Sequence, residues 1–197
     1  MKKITDVEVI LASTSPRRHQ LLDLIGIQHK VAPSDVEETQ LPGEEPAAYA
    51  ERLARAKADA IAVSAREALV IGADTIVVID DHVLEKPRDV HDAQRMLERL
   101  SGRTHVVMTA VAASHEGRTL STVEKVSVTF RRMLPDEVSS YIATGEPMDK
   151  AGAYGIQGYG ATIVNRIDGD YFAVMGLSLI RLVELIASLG IRYDFGR

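Results

Sequence analysis

Residues Ala68–Asp80 read ALVIGADTIVVID, a nearly unbroken apolar run with Asp74 and Thr75 set in its middle. Branched residues dominate it, so the run predicts one or two buried strands with a polar interruption. A carboxylate among such neighbours is costly to bury unless it is paired or metal-bound. Acids in that setting are often catalytic or metal-binding. Gly72 and Ala73 take side-chain bulk away beside it, which would let a ligand approach. The competing reading, an exposed Asp at a strand bend, is weaker because the surrounding run is so apolar.

Working outward from this run, strands and helices mix without strict alternation. Val7–Ser13 predicts a strand, and Ser15-Pro16 an N-cap with proline at the first helical position. Leu21, Leu22, Leu24 and Ile25 give that helix its apolar face, and Gly26 its stop. Residues 33–46 read as a loop. A long helix is predicted from Pro46 to Ser64, with Tyr49, Leu53, Ala56, Ala60 and Ile61 on its apolar face.

Beyond the central run, Val90–Leu100 predicts a helix capped by Asp89 and stopped by Gly102. Thr104–Ser114 and Leu120–Phe130 predict a hairpin around Gly117, and a short helix follows Pro135. Ala161–Ile167 and Tyr171–Val174 predict a second hairpin turning at Asp168-Gly169, before a last helix over Leu177–Leu189. Hairpins beside strand–helix units favour an α/β fold with a mixed sheet flanked by helices. With no repeat and no long linker, one domain over residues 1–197 is expected.

Composition removes several function classes. The 197 residues carry 23 Lys+Arg and 28 Asp+Glu, a net charge of −5, which disfavours a non-specific nucleic-acid binder. Without cysteine there are no disulfides, zinc-thiolate sites or Cys nucleophiles. The longest stretch free of Asp, Glu, Lys and Arg, Ala151–Asn165, holds four glycines and is shorter than the roughly 18 apolar residues a spanning helix needs. Lys2 and Lys3 are followed too soon by Asp6 and Glu8 for a signal peptide, so a cytoplasmic location is expected. The six histidines show no metal-site spacing and read as ordinary.

Further residues and segments besides Asp74 carry chemical interest. Ser13-Thr14-Ser15-Pro16-Arg17-Arg18 joins the first strand to its helix. Arg17 and Arg18 oppose the helix dipole there unless an anion sits at the helix N-terminus; two solvated arginines behind an ordinary Ser cap are the simpler local reading. From Val31 to Glu51 there are six acids, Asp35, Glu37 and Glu38 among them, and no Lys or Arg. Such a loop could hold a hard divalent cation, though composition alone favours a solvated loop. Lys57 and Lys86 could each neutralise a phosphate but are unremarkable singly. Gly152, Gly155, Gly158 and Gly160 lie within nine residues and would admit a ligand to the backbone, while Gln157 could read a base edge. The glycine spacing is neither a dinucleotide fingerprint nor a Walker A loop.

The order of these segments is more telling than any one of them. Ala12-Ser-Thr-Ser-Pro-Arg-Arg18, Asp35-Val-Glu-Glu38, Arg52-Leu-Ala-Arg-Ala-Lys-Ala58, Gly72-Ala-Asp-Thr75, Leu84-Glu-Lys-Pro-Arg-Asp89, Ser101-Gly102 and Ala151-Gly-Ala-Tyr-Gly-Ile-Gln-Gly158 resemble, in sequence, the signatures of the Maf family of nucleotide pyrophosphatases. The resemblance spans residues 9–188. It departs at Ala56, where the family usually has Glu.

The resemblance implies a mixed α/β, Maf/ITPase-like fold with two lobes around a deep cleft, and a homodimer. It implies hydrolysis of a nucleoside triphosphate between the α and β phosphates with a divalent cation, Mg2+ or Mn2+. By position, Asp74 matches the proton acceptor, and Lys57 and Lys86 match catalytic lysines. Ser13, Arg17, Arg18, Thr75 and Gln157 match substrate-binding residues, and Glu38 with Asp74 would hold the metal. Arg17, Thr75 and Gln157 resemble the dTTP/UTP branch rather than the 7-methyl-GTP branch. A regulatory role in septum formation and a phosphatase acting on smaller esters are the rival expectations.

Overall fold

The structure, a computed structural model, describes residues 2–195. The strands are β1 (Lys2–Lys3), β2 (Val9–Leu11), β3 (Lys30–Val31), β4 (Leu69–Ile79), β5 (His82–Leu84), β6 (Thr104–His115), β7 (Arg118–Phe130), β8 (Val164–Asp168) and β9 (Ile191–Arg192). The helices are α1 (Pro16–Leu24), α2 (Pro46–Ala62), α3 (Val90–Leu100), α4 (Pro135–Ala143), α5 (Tyr171–Met175) and α6 (Leu179–Ser188). The principal sheet has strand order β3-β2-β4-β6-β7-β8, with β5 paired to β4. It is mixed: β2 is parallel to β3 and to β4, whereas β5 is antiparallel to β4 and β8 to β7. The mixed α/β architecture is therefore as the sequence predicts.

The chain forms two compact units, one of residues 1–74, 109–124 and 176–197 and the other of residues 75–108 and 125–175. The central run becomes one continuous strand, β4, whose residues up to Asp74 belong to the first unit. Val9, Ile10 and Leu11 of β2 pair with Leu69, Val70 and Ile71. The register of β4 against α2 is set at Gly72. A Cβ there would lie 2.2 Å from the Ala54 carbonyl oxygen and 2.8 Å from the Ala58 amide nitrogen. The helix backbone occupies the space a side chain would need, so the glycine admits α2 and not a ligand, correcting the sequence expectation.

This close approach rotates α2 from its expected orientation. Its buried residues are Tyr49, Ala50, Leu53, Ala54, Lys57 and Ala58, whereas Ala60 is exposed and Ala56 and Ile61 are half-buried. The small side chains of Ala54 and Ala58 face the strand, and Lys57 turns inward with them.

In the second unit, α3 begins at Asp89, whose carboxylate accepts from the Asp92 amide at 2.7 Å, and Gly102 follows it at φ +71°. Leu97, Leu100, Val107, Val126, Val128, Phe130 and Ile142 belong to one apolar core. The predicted second hairpin is not formed. Ala161 and Thr162 end a 3-10 turn over Gly158–Thr162, and Tyr171–Met175 is the helix α5. The Asp170 carboxylate accepts from the Phe172 amide at 2.8 Å, giving the chain a helical start where a strand was expected. β8 pairs with β7 instead, Ile167 opposite Val128.

Candidate active site

The first unit builds a charge cluster around Lys57. The inward turn of α2 places its ammonium 2.7 Å from Asp74 Oδ1 and 2.6 Å from Glu38 Oε1. The Lys57 and Asp74 side chains are only 8% and 9% exposed, so the buried carboxylate is paired as its surroundings demand. Glu38 is half-exposed and reaches in from the acidic loop. That loop is fastened to α2: the Tyr49 hydroxyl donates to the Glu38 carbonyl at 3.1 Å, and Arg52 donates to the Thr39 carbonyl and to Glu44. Glu38 is thus fixed at its backbone while its carboxylate stays open to water. The reading of Asp74 as an exposed strand-bend residue fails, and so does that of Lys57 as an ordinary helix lysine. Asp35 and Glu37 are exposed residues of the same loop.

The turn between β2 and α1 supplies the second element. Pro16 is the first helical residue and Ser15 holds the N-cap position, but the Ser15 hydroxyl does not cap. Ser13 acts there instead, its hydroxyl oxygen accepting from the Ser15 amide and from Arg18 Nη1, both at 3.1 Å. Arg18 Nε donates to the Gly176 carbonyl at 2.8 Å. Burial pushes the Arg18 pKa down, while the charges of Asp74 and Glu38 act to raise it and that of Arg17 to lower it. Ser13, Arg18, Glu38, Lys57 and Asp74 therefore form one electrostatic neighbourhood with both signs present.

Thr75 follows Asp74 in β4 and belongs to the second unit, as do Lys86 and Gln157, which are both exposed. Lys86 lies in the turn after β5. That turn is tied to the glycine-rich segment, because the Gly152 amide donates to the Glu85 carbonyl at 3.1 Å.

The glycine-rich segment is not the open loop its composition predicts. It winds through short 3-10 turns pinned by Glu146, a residue the sequence reading passed over. The Glu146 carboxylate accepts from the Tyr159 amide at 2.9 Å, the Gly160 amide at 3.0 Å and the Tyr141 hydroxyl at 2.8 Å. Burial works against the carboxylate charge, but these donors hold its pKa below the usual value. A Cβ on Gly160 would lie 2.0 Å from the Gly155 carbonyl oxygen, and one on Gly158 2.4 Å from Glu146 Oε2. Glycine at these positions lets the chain pack on itself, and Gln157 is presented beside that folded turn.

The arrangement can hold an anion against Arg18 and brings the carboxylates of Asp74 and Glu38 to one ammonium. The chain as a whole matches known proteins. The model of the Maf-like protein family matches residues 8–189. This chain belongs to the Maf-like family. Among its relatives, a dTTP/UTP pyrophosphatase of Aquifex aeolicus is 45% identical over 94% of this chain and 97% of its own length. One from Vibrio cholerae is 50% identical over 93% and 98%, and one from Yersinia pestis is 52% identical over 90% of each. The structure of the Staphylococcus aureus Ham1 protein is similar in fold, with TM-score 0.53 and 15% identity over 93% of this chain and 99% of its own. Among the described residues of this Maf-like chain, no helix is long and apolar enough to cross a membrane.

Proposed function

We propose that this Maf-like protein is a dTTP/UTP pyrophosphatase, hydrolysing the triphosphate to the nucleoside monophosphate and pyrophosphate. The observation that carries the chemistry is the buried pairing of Asp74 with Lys57 beside the half-exposed Glu38. The relatives named dTTP/UTP pyrophosphatase support the substrate class. They do not favour the 7-methyl-GTP branch or a role confined to septum formation.

In this reading Asp74 accepts a proton from water as the water oxygen bonds to the α-phosphorus. The bond from that phosphorus to the oxygen bridging the β-phosphate breaks, and pyrophosphate leaves. Lys57 stabilises charge that develops on the phosphate oxygens. Arg17 and Arg18, in the first turn of α1, bind phosphate where the helix dipole also favours an anion. Ser13 positions Arg18 through their 3.1 Å hydrogen bond.

Glu38 and Asp74 suit a divalent cation, because their carboxylates already converge on one positive charge, the Lys57 ammonium. Mg2+ or Mn2+ held by these two residues would neutralise phosphate charge and polarise phosphorus–oxygen bonds. Thr75 and Gln157 carry the substrate contacts that the family resemblance assigns, with Gln157 matching a pyrimidine edge by donor and acceptor, and Lys86 is the second catalytic lysine, stabilising charge on the leaving pyrophosphate. A homodimer and a cytoplasmic location complete the proposal.

Incubation with dTTP, UTP, CTP, GTP and 7-methyl-GTP, with Mg2+ or Mn2+, tests it. Pyrophosphate release from dTTP and UTP is expected. Release confined to 7-methyl-GTP rejects the substrate assignment, and inorganic phosphate as first product rejects the bond assignment.

A further inference from the structure

The histidines at positions 19 and 29, ten residues apart, are brought together by the fold. His19 and Asp23 are one turn apart on the same face of α1, their Nε2 and Oδ2 atoms 3.4 Å from each other. Gly26 then reverses the chain at φ +71°, with its amide bonded to the Asp23 carbonyl and that of Ile27 to the Leu22 carbonyl. This turn returns His29 to the helix, where His29 Nε2 lies 2.6 Å from His19 Nδ1. Asp23 Oδ1 is 4.0 Å from His29 Nδ1. Among the described residues, His19, Asp23 and His29 offer one ligand atom each within 4.8 Å of one another.

We propose that these three residues form a binding site for a borderline transition-metal ion such as Zn2+, separate from the Glu38–Asp74 pair. The His29 side chain is 1% exposed, and its Nδ1 donates to the Ile27 carbonyl at 2.8 Å. That bond fixes the tautomer and leaves the Nε2 lone pair directed at His19, the backbone support typical of a metal-ligating imidazole. Two imidazoles and one carboxylate match the donor set of a three-ligand zinc site with a water completing the tetrahedron. They suit Zn2+, Ni2+ or Cu2+ far better than Mg2+, which takes oxygen ligands. Tetrahedral ligands on zinc lie about 3.3 Å apart. From 2.6 Å the two imidazole nitrogens must separate by about 0.7 Å and Asp23 must turn toward them, movements open to the half-exposed His19 and Asp23 side chains while His29 stays anchored. The ion would join α1, which begins with Arg17 and Arg18, to the turn that follows it.

The test is calorimetric titration of the chelator-treated full-length protein with Zn2+ in excess Mg2+, which occupies hard oxygen sites. Co2+ titration, followed by visible absorption, reports imidazole coordination. Wild type is expected to bind one equivalent of Zn2+, to show ligand-field bands with Co2+, and to melt higher with Zn2+. His19→Ala and Asp23→Asn, both at exposed side chains, are expected to weaken Zn2+ binding at least about 10-fold and to leave dTTP hydrolysis unchanged. His29→Ala is expected to abolish the Co2+ bands. Absence of binding in wild type, or unchanged affinity in both His19→Ala and Asp23→Asn, would overturn the proposal.

Discussion

Lys57 Nζ and Asp74 Oδ1 lie 2.7 Å apart with both side chains more than nine-tenths buried, one from the inner face of α2 and one from the middle of β4. The pair exists because α2 meets β4 backbone against backbone, and the second carboxylate, Glu38, closes on the same ammonium. Truncating the lysine leaves Asp74 buried without its cation, a change that typically costs about 3–5 kcal/mol. Lys57→Met is expected to lower both Tm and kcat on dTTP, with kcat falling about 100-fold. Thermal melts and steady-state kinetics on one preparation check both effects.

Gly72→Ala tests the contact that makes the pair. The added Cβ would meet the Ala54 carbonyl oxygen at 2.2 Å, so α2 must move away from β4. Overpacking of this kind costs about 1–3 kcal/mol. The expected result is a Tm several degrees lower and a loss of dTTP hydrolysis that exceeds the loss of folded protein at assay temperature. A variant with wild-type Tm and kcat would show that the helix does not need this approach.

The acid side of the stability profile is expected to follow His105. This ring is buried between Phe130 and Tyr154, with centroids 4.9 and 5.3 Å away, and burial pushes its pKa down to about 4. Its Nε2 meets the Tyr154 hydroxyl at 2.8 Å while Nδ1 has no hydrogen-bond partner among the described residues. Between its ordinary value near 6.5 and about 4 the unfolded chain binds a proton that the folded chain does not. Stability from this group is therefore full above about pH 6.5 and declines as pH falls toward 4, by roughly 3 kcal/mol in all. Urea unfolding at a series of pH values should show this slope, and His105→Gln should flatten it.

Glu146→Ala removes the acceptor shared by the Tyr159 and Gly160 amides. Hydrogen exchange at these two amides is expected to accelerate at least about 10-fold, since each loses a charge-assisted bond. Exchange in α6 should be unchanged. If the segment were the open loop its glycines suggest, the two amides would exchange fast in wild type as well.

How far the sequence reveals this arrangement depends on how local each signal is. The Asp89 cap of α3, Pro16 opening α1 and the buried carboxylate at Asp74 are written in adjacent residues and were legible. On the inner face of α2, Tyr49 and Leu53 were legible but Ala54, Lys57 and Ala58 were not, because its alanines, including Ala54, Ala56, Ala58 and Ala60, lie all around the helix and give periodicity little contrast. Gly72 decides the matter from another element. The glycines of residues 152–160 read as access for a ligand because their steric partners, Glu146 and the Gly155 carbonyl, become visible only in three dimensions. Tyr171–Met175 has strand composition but takes a helical start from Asp170. His19 and His29 show no ligand spacing because a left-handed turn at Gly26, rather than a helix repeat, brings them together. The bounds of the two units have no linker to mark them, because three of the four chain crossings fall inside β4, β6 and β7.

If Asp74 takes the proton from the attacking water, kcat for dTTP must collapse in Asp74→Asn. The substitution keeps the shape and removes the base. The expected kcat is lower by about 100-fold or more, with pyrophosphate still the product of any residual turnover. A folded Asp74→Asn enzyme with wild-type kcat would contradict it.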